Sequence, residues 1–359
     1  MANKNFESIR SRLTELGLWN DDSLVMLTDG SKREVFSSDG STARTGLFTA
    51  VAAPLAVFTA GTYSREFARA PHTLRAATDD AAMMFGPFVR CSARPRRGDA
   101  AVILPDRGFV VTGRHENELI AACILLEKMC AEVILSSHLR RLRLLPETLC
   151  VLEHGIYTKK YSRPSLEAAK GPATTEAAAD VPDRALREEV IAYGKKLVEH
   201  RLIQATWGNV SVRLDADRFL ITPSGVDYDR IRPEDVVEVR ISDGSFPDGA
   251  HPSSERKMHR LIYAARPDIG AVIHTHSASL QVFAACRAPL HTAGLDIPCA
   301  PYGVSGSEKL AESVAGTLRT HDACIMSNHG FTAAAQNLEA ALTAALKAEQ
   351  TASEILKRR

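Results

Sequence analysis

The stretch "AVIHTHSASL", residues 271–280, places two histidines at the end of a short apolar run that is typical of a buried strand. Successive side chains of a strand point to opposite faces, so His274 and His276 share one face and Thr275 takes the other. Two imidazoles on one face can bind a metal ion, but they can equally be hydrogen-bonded histidines at a strand end. The pair alone leaves both alternatives open.

A third histidine, His329, lies in "CIMSNHGF", residues 324–331, directly after a second short apolar run. Gly330 follows it, and glycine allows a sharp turn, so His329 is predicted to stand at a strand end as well. Three histidines leave one or more coordination positions of a zinc ion open. That pattern is typical of catalytic zinc sites, whereas structural zinc sites are closed by four protein ligands.

The segment 251–270, "HPSSERKMHRLIYAARPDIG", predicts a helix that begins near Ser253 and Ser254. Glu255 falls in the first turn, where the helix dipole favours a carboxylate even without a function. The helix leads into the His274 strand, so Glu255 can meet His274 if the two elements pack antiparallel. The free N–H groups of a helix start also make the two serines candidates for binding a phosphate. The apolar stripe consists of Met258, Leu261, Ile262 and Ala265.

Two further loops carry small polar residues beside predicted strands. They are "TWGNVSVRL", residues 206–214, with Asn209, and "LITPSGVDYDRI", residues 220–231, with Ser224 and Gly225. Such loops offer backbone N–H groups and short side chains to an anion. Each loop alone is equally well explained as an ordinary turn.

The overall composition excludes several classes of partner. The 359 residues carry a net charge of +1 and 45% hydrophobic residues, which predicts a packed core and no nucleic-acid or membrane partner. The seven cysteines form no Cys-x-x-Cys pair, which favours reduced thiols in the cytoplasm. The basic stretches "RPRR" (94–97) and "LRRLRLL" (139–145) are interpreted as solvated faces or subunit contacts.

An internal repeat relates the two halves of the chain. Residues 100–134 align with 322–356 without gaps at an offset of 222, and each segment reads as a strand, a glycine turn and a long helix. Arg107 of the first copy aligns with His329, and a guanidinium cannot bind a metal. The aligned pairs include Ile103 with Ile325, Phe109 with Phe331, and Glu127 with Glu349.

The repeat predicts two modules joined by a linker. Residues 164–182, "PSLEAAKGPATTEAAADVP", lack large apolar residues and read as the linker. The first module, 1–163, lacks counterparts of the histidines and of the serines with Glu255, so it is predicted to be a degenerate, non-catalytic copy. The second module, 183–359, carries the three histidines, Glu255 and the candidate anion-binding residues.

The second half resembles the class II aldolase/adducin family through six motifs in a fixed order. They span residues 205–331, and flanking helices extend the resemblance to about 183–356. The resemblance implies a three-layer α/β/α module with a mainly antiparallel sheet, here present twice, in a homo-oligomer, either a dimer or a tetramer. The motifs are "GNVSVR", "LITPSG", "PSSE", "HTH", "IPCAPY" and "NHG".

The resemblance also implies a role for each candidate residue. The zinc ligands would be His274, His276 and His329, although another divalent ion can also bind three imidazoles. The acid/base group would be Glu255. The residues that hold a phosphate or carboxylate of the substrate would be Asn209, Ser224, Gly225, Ser253 and Ser254.

The implied activity is that of a zinc-dependent lyase. It would cleave a carbon–carbon bond in a small, phosphorylated, sugar-like hydroxy-carbonyl compound, with zinc holding the enediolate that forms. A sugar-phosphate epimerase, a dehydratase or a decarboxylase could use the same site. A non-catalytic scaffold, as in adducin-like members of the family, is the alternative from another class.

One feature departs from the family pattern. Aldolases of this type use a tyrosine of a neighbouring subunit to protonate the leaving aldehyde, and its loop lies before "IPCAPY". Here the segment "CRAPLHTAGLDIPCAPY", residues 286–302, is short and has no tyrosine before Tyr302. The candidates for a substitute are His291, Asp296, Tyr302, Tyr157 and Tyr161.

Overall fold

A computed structural model describes residues 2–28, 32–160, 181–204 and 206–358. The chain divides into two compact units. Unit 1 comprises Met1–Ser137 and Leu144–Tyr157, and unit 2 comprises His138–Arg143 and Thr158–Arg359. The predicted linker, 164–182, lies outside the described residues except for its last two.

Unit 1 is a mixed α/β unit built around a seven-stranded sheet. Its strands are β1 (Leu24–Thr28), β2 (Arg33–Ser37), β3 (Leu55–Thr59), β4 (Leu74–Arg75), β5 (Phe88–Cys91), β6 (Ala101–Leu104) and β7 (Gly108–Gly113). Its helices are α1 (Ala2–Glu15), α2 (Thr62–Ala68), α3 (Asp79–Phe85), α4 (Glu116–Leu135) and α5 (Glu147–Lys160).

The strands of unit 1 follow the order β2-β1-β3-β7-β6-β5-β4. Neighbouring strands are antiparallel except β5 and β6, which are parallel. Helices α1, α2 and α4 pack against β1, β3 and β7. The other face is covered by Leu47, Phe48 and Val51, which belong to an irregular segment between β2 and β3. Their side chains pack on Phe58 and its neighbours in the sheet. Helices on both faces were predicted for both copies; in unit 1 that irregular segment takes the place of the second helical layer.

Unit 2 is also a mixed α/β unit with a seven-stranded sheet. Its strands are β8 (Asn209–Arg213), β9 (Arg218–Ile221), β10 (Val237–Arg240), β11 (Ala271–Thr275), β12 (Leu290–Thr292), β13 (Leu295–Ile297), β14 (Cys299–Ala300), β15 (Ala323–Met326) and β16 (Gly330–Ala335). Its helices are α6 (Arg184–Glu199), α7 (Arg256–Ala265), α8 (Ala278–Cys286), α9 (Glu308–Thr317) and α10 (Leu338–Lys357).

The large sheet of unit 2 has the order β10-β9-β8-β11-β16-β15-β14, and β12 pairs separately with β13. Neighbouring strands are antiparallel except β14 and β15, which are parallel. Strand β11 lies between β8 and β16, so His274 is opposite Asn209 on one side and Thr332 on the other. This central position brings residues from three strands to one point.

Helices cover both faces of the sheet in unit 2. Met258 and Ile262 of α7 and Val314 of α9 share one buried cluster with sheet residues such as Val272. Helices α8 and α10 contact β16 outside that cluster, on the opposite face. Because side chains alternate along β11, His274 points to the same face as Val272, towards α7.

Hydrogen bonds to a glutamate side chain join α10 to the start of α8. The carboxylate of Glu349 in α10 accepts hydrogen bonds from the N–H groups of Ser279 (2.8 Å) and Leu280 (2.9 Å) and from the hydroxyl of Ser277 (2.7 Å). The first N–H groups of a helix have no partner within the helix, so this carboxylate caps α8. Glu127 in α4 caps α2 of unit 1 in the same way, through the N–H groups of Tyr63 and Ser64.

Two general expectations can be compared with the described residues. No helix among them is both long and apolar enough to cross a bilayer. All seven cysteines are free thiols, and Cys123 and Cys130 are buried in the core. The absence of disulfides agrees with the scattered spacing of the cysteines in the sequence.

The cap formed by Glu349 predicts a measurable loss of stability when it is removed. Glu349→Ala leaves the start of α8 without its charged acceptor, and hydrogen bonds to charged groups contribute about 1.5–3 kcal/mol. Urea denaturation followed by circular dichroism measures the effect. Glu354→Ala, which changes an exposed residue of the same helix, is the control, and equal effects of the two substitutions would contradict the prediction.

Candidate metal and active site

The three predicted histidine ligands converge in unit 2. One ring nitrogen from each of His274, His276 and His329 lies within 4.8 Å of the others, and all three side chains are buried. The Nε2 atoms of His274 and His276 are 2.7 Å apart. The ring of His329 stacks on that of His274 with centroids 5.1 Å apart. Three imidazole nitrogens at such spacing can share one divalent ion.

The tautomer of His274 is set by the backbone. Its Nδ1 lies 2.9 Å from the carbonyl oxygen of Phe331, and a carbonyl only accepts hydrogen bonds, so Nδ1 carries the proton. Burial lowers the pKa of His274 to about 3, which keeps the ring neutral. The lone pair therefore sits on Nε2, which faces the other two histidines and is the atom able to bind a metal.

Glu255 lies beside the histidines, as its position in the sequence predicted. Its Oε1 is 2.8 Å from His329 Nε2, and its Oε2 is 3.1 Å from His274 Nε2. Burial raises the pKa of this carboxyl, but attraction to His274 and His329 in their protonated forms, together with the hydrogen bond to His329, outweighs burial and lowers the pKa well below its usual range. The carboxylate is therefore charged within a buried pocket.

The start of helix α7 differs from the prediction by a few residues. The helix begins at Arg256 with Glu255 as its N-cap, instead of beginning at Ser253 and Ser254. The reason is local: the hydroxyl of Ser253 accepts the N–H of Glu255 at 3.2 Å, and such a bond competes with helix formation. Glu255 therefore stands at the N-terminal end of α7, and its carboxylate points to His274.

The turn that carries His329 also differs from the expectation. The left-handed residue is Asn328, with φ of 55°, and Gly330 is not in that region. Glycine is needed at 330 because a Cβ there would lie 2.5 Å from the carbonyl oxygen of Thr275 and 3.1 Å from the ring of His274. Gly330 thus allows the close approach of β16 to β11, which carries His274.

A buried hydrogen-bond chain leads from the core to Glu255. Asn209 donates through Nδ2 to Glu255 Oε2 at 2.9 Å, and its Oδ1 lies 2.5 Å from His259 Nε2. His259 Nδ1 lies 2.6 Å from the hydroxyl of Ser211, which lies 2.8 Å from the hydroxyl of Tyr263. Asn209 and His259 bring the chain to the carboxylate from β8 and α7.

The direction of this chain follows from its acceptors. Burial lowers the pKa of His259 to about 4, so the ring is neutral and carries one proton. Asn209 Oδ1 can only accept, so that proton is on Nε2, and Nδ1 accepts the hydroxyl proton of Ser211. Tyr263 then donates to Ser211. Every group in the chain is satisfied, and the chain ends with an N–H that holds one oxygen of Glu255.

Sequence reasoning did not identify His259, Ser211 or Tyr263. The signal for His259 was available, because it lies four residues after Glu255 and helical residues at that spacing share a face. Ser211 lies two residues after Asn209 in β8, and residues at that spacing share a strand face. The link between the two elements depends on how the helix packs on the sheet, which no local pattern reveals.

The predicted anion-binding residues come from two loops that meet. Pro223 forms a bridge with Pro252, and the N–H of Ser224 donates to the carbonyl of His251 at 2.9 Å. Ser224 and Gly225 therefore neighbour the segment that carries the other serines. Ser253 is buried and Ser254 is half-buried.

The candidates for the missing proton donor are dispersed. His291 and Asp296 pair with each other at 2.5 Å on an exposed hairpin. The ring of Tyr302 lies 5.6 Å from the guanidinium of Arg287. Burial raises the pKa of Tyr157, in unit 1, to about 12. Tyr161 lies outside the described residues.

Comparison with known proteins identifies the family that unit 2 matches. Residues 188–356 match the family described as Class II Aldolase and Adducin N-terminal domain. A 5-deoxy-D-ribulose 1-phosphate aldolase of Bacillus thuringiensis is 37% identical over 172 residues, which cover 45% of this chain and 80% of the relative. The chain belongs to the class II aldolase and adducin family. Its match lies in unit 2, and it confirms the resemblance that the motifs predicted.

Other relatives of the family are aldolases as well. An L-fuculose phosphate aldolase of Escherichia coli O6:H1 is 34% identical over 172 residues, which cover 46% of this chain and 79% of the relative. A solved structure of an L-fuculose 1-phosphate aldolase is 37% identical. The match covers 47% of this chain and 84% of that chain, with a TM-score of 0.45. The sequence identities confirm the predicted class of enzyme, a class II aldolase-type lyase.

The hydrogen-bond chain predicts that Ser211 stabilises the buried site. Ser211→Ala leaves the hydroxyl of Tyr263 and Nδ1 of His259 without this partner, and each buried unsatisfied group costs about 1–3 kcal/mol. Denaturation by urea measures the loss. Ser245→Ala, on an exposed turn, serves as the control. An unchanged midpoint for Ser211→Ala would contradict the chain as described.

Proposed function

We propose that unit 2 is a metal-dependent aldolase that cleaves a carbon–carbon bond in a small phosphorylated sugar. The observation that carries this proposal is the set of three buried imidazole nitrogens within 4.8 Å of one another, with the carboxylate of Glu255 within 3.1 Å. The relatives are named as aldolases of 5-deoxyribulose 1-phosphate and fuculose phosphate, which supports a sugar phosphate as substrate.

The donor set fits a divalent transition metal. His274 is neutral and directs the lone pair of Nε2 towards the other two rings, which is the form required of an imidazole ligand. We propose zinc, held by His274, His276 and His329; three imidazoles suit other divalent ions too. When bound, the ion supplies Lewis-acid stabilisation of the negative charge that develops on substrate oxygens.

Glu255 is proposed to move the proton. Its Oε2 is held by the amide of Asn209, so its orientation is fixed, and Oε1, which lies beside His329 Nε2, is proposed to exchange a proton with the substrate. A buried carboxylate that is charged can act as a general base, and it returns the proton as a general acid. No lysine is required for this chemistry.

The phosphate is proposed to bind at the two loops that meet before α7. Ser224, Gly225, Ser253 and Ser254 offer hydroxyl and N–H groups there. Asn209 was predicted to belong to this set, but its amide oxygen and one N–H are used by His259 and Glu255. We therefore propose that Asn209 mainly orients the carboxylate.

We further propose that units 1 and 2 arose by duplication. In both sheets a parallel pair lies beside an antiparallel pair. In unit 1 these are β5-β6 and β6-β7, and in unit 2 they are β14-β15 and β15-β16. The predicted offset of 222 relates β6 to β15, β7 to β16 and α4 to α10 from end to end. Asp106 and Asn328, which are related by that offset, have φ of 57° and 55°.

Unit 1 is proposed to be the non-catalytic copy. Thr59 pairs with Phe109 as Thr275 pairs with Phe331, so Phe58 and Ala60 stand where unit 2 has the histidine pair. The guanidinium of Arg107 lies 4.8 Å from the ring centre of Phe58. An aromatic ring, a methyl group and a guanidinium cannot bind a metal.

The homo-oligomer and the cytoplasmic location stay predictions.

The alternatives share part of this site. Epimerisation, dehydration or decarboxylation would use the same histidines and Glu255, so the geometry favours none of them over the aldolase. An adducin-like scaffold would have no need of a charged carboxylate beside three buried imidazoles. Burying such groups costs free energy, so their retention supports catalysis.

Metal content tests the ligand assignment. Each of the substitutions His274→Ala, His276→Ala and His329→Ala removes one of the three proposed ligands, so we expect at most a small fraction of the wild-type metal after dialysis. Elemental analysis by mass spectrometry measures it. His291→Ala changes an exposed histidine and should retain wild-type metal. Unchanged metal in the three variants would overturn the assignment.

Proton transfer tests the role of Glu255. Glu255→Gln keeps the shape of the side chain but removes the base, and we expect kcat to fall about 10²–10⁴-fold while most of the metal is retained. The assays are cleavage of fuculose 1-phosphate and 5-deoxyribulose 1-phosphate, and deuterium exchange next to the substrate carbonyl. Glu308→Gln, on an exposed helix start, is the control. Wild-type protein that catalyses neither reaction would favour the scaffold.

A further inference from the structure

A short segment from outside the family match packs on the turn that carries His329. Residues His138–Arg143 belong to unit 2, although residues of unit 1 flank them on both sides in the sequence. The basic composition of residues 139–145 predicts a solvated face or a subunit contact. The arginine residues at 140, 141 and 143 are indeed exposed, but the backbone of the segment makes specific bonds within unit 2.

The segment first caps helix α8. The N–H of Arg143 donates to the carbonyl of Ala285 at 2.9 Å, and the thiol of Cys286 contacts the carbonyl of Arg140 at 3.4 Å. Ala285 and Cys286 are the last residues of α8, and the final carbonyls of a helix have no partner within the helix. Positive side chains near a helix C-terminus are also favoured by its dipole. The segment is therefore held at a defined place.

The same segment then binds Asn328. The amide nitrogen of Asn328 donates to the carbonyl of Arg143 at 2.6 Å, and its amide oxygen accepts from Nε of Arg287 at 2.6 Å. The backbone N–H of Asn328 donates to the carbonyl of Ala284 at 2.8 Å. Asn328 is fully buried and directly precedes His329. Three bonds in different directions thus fix the residue before a proposed metal ligand.

The equivalent turn of unit 1, which leads into β7, adopts the same backbone conformation without such side-chain bonds. Asp106 has the same left-handed conformation as Asn328, and its N–H donates to the carbonyl of Ala68 at 2.8 Å. Its side chain is exposed, and the next residue is Arg107. The turn therefore forms without a buried side chain at this position. The contacts of Asn328 with Arg143 and Arg287 are additional features of the turn that bears a histidine.

We propose that residues 138–143 act as a clamp that positions His329 for metal binding through Asn328. The proposal rests on the proposed metal-dependent function of unit 2. Asn328 and the clamp are proposed to act on the metal site through the position of His329, so they are positioning elements. Groups that orient a ligand from behind commonly change metal affinity by about 10–100-fold when they are lost.

Two substitutions in the full-length protein remove different bonds of the clamp. Asn328→Asp keeps a side chain that tolerates the left-handed conformation and still accepts from Arg287, but it cannot donate to the carbonyl of Arg143. Arg143→Pro removes the N–H that donates to Ala285. Arg143→Ala is the matched control, because it removes the same side chain as the proline variant and keeps both backbone bonds.

Metal affinity is the deciding measurement. Zinc binding is measured in competition with a chromophoric chelator, and the absorption bands of bound Co²⁺ report the ligand geometry without any assay of activity. We expect Asn328→Asp and Arg143→Pro to bind zinc about 10–100-fold more weakly and to alter the Co²⁺ bands. Arg143→Ala should stay within about two-fold of wild type, because orientation by the backbone is unchanged.

Other outcomes overturn the clamp or the function separately. If wild type binds zinc and both clamp variants bind it equally well, the clamp is overturned, even if they unfold at lower temperature, and the proposed function stands. If wild type binds neither zinc nor Co²⁺, the proposed function fails and the clamp fails with it. If Asn328→Asp does not fold by circular dichroism, the comparison of Arg143→Pro with Arg143→Ala decides.

Discussion

The antiparallel pairing of β11 with β16 is the constraint on which the candidate site depends. It sets His274 opposite Thr332 and Thr275 opposite Phe331, so the turn before β16 brings His329 beside the histidine pair. A slip of one residue would turn His274 to the other face of the sheet. The register is held from both sides, since β8 pairs with the other edge of β11.

Polar groups that are buried at one point are costly unless they are hydrogen-bonded. The carboxylate of Glu255 faces two histidines and the amide of Asn209, and behind Asn209 the chain continues to His259 and into the core. In a medium of low dielectric, satisfied networks are rigid and unsatisfied ones are costly. The same contacts that stabilise the pocket therefore also fix the direction in which its carboxylate points.

The two units share several structural features and differ in the side chains at corresponding positions of the central strand. Both have a central strand between antiparallel neighbours, a glutamate that caps the helix after it, and a left-handed residue in the turn of the last hairpin. These features stabilise the fold in either unit. Unit 2 differs at the candidate site, where it has the three histidines, helix α7 with Glu255, and the contacts that orient them.

The sequence by itself determined the family, and it predicted the repeat with its offset and the candidate site residues His274, His276, His329 and Glu255, because these depend on spacing and residue type along short segments. Only the tertiary structure decided that Glu255 is held through Asn209 by His259, Ser211 and Tyr263, and that residues 138–143 pack on Asn328. Those contacts join segments far apart in the chain. They depend on how helices pack on a sheet, which leaves no periodic signal in the sequence.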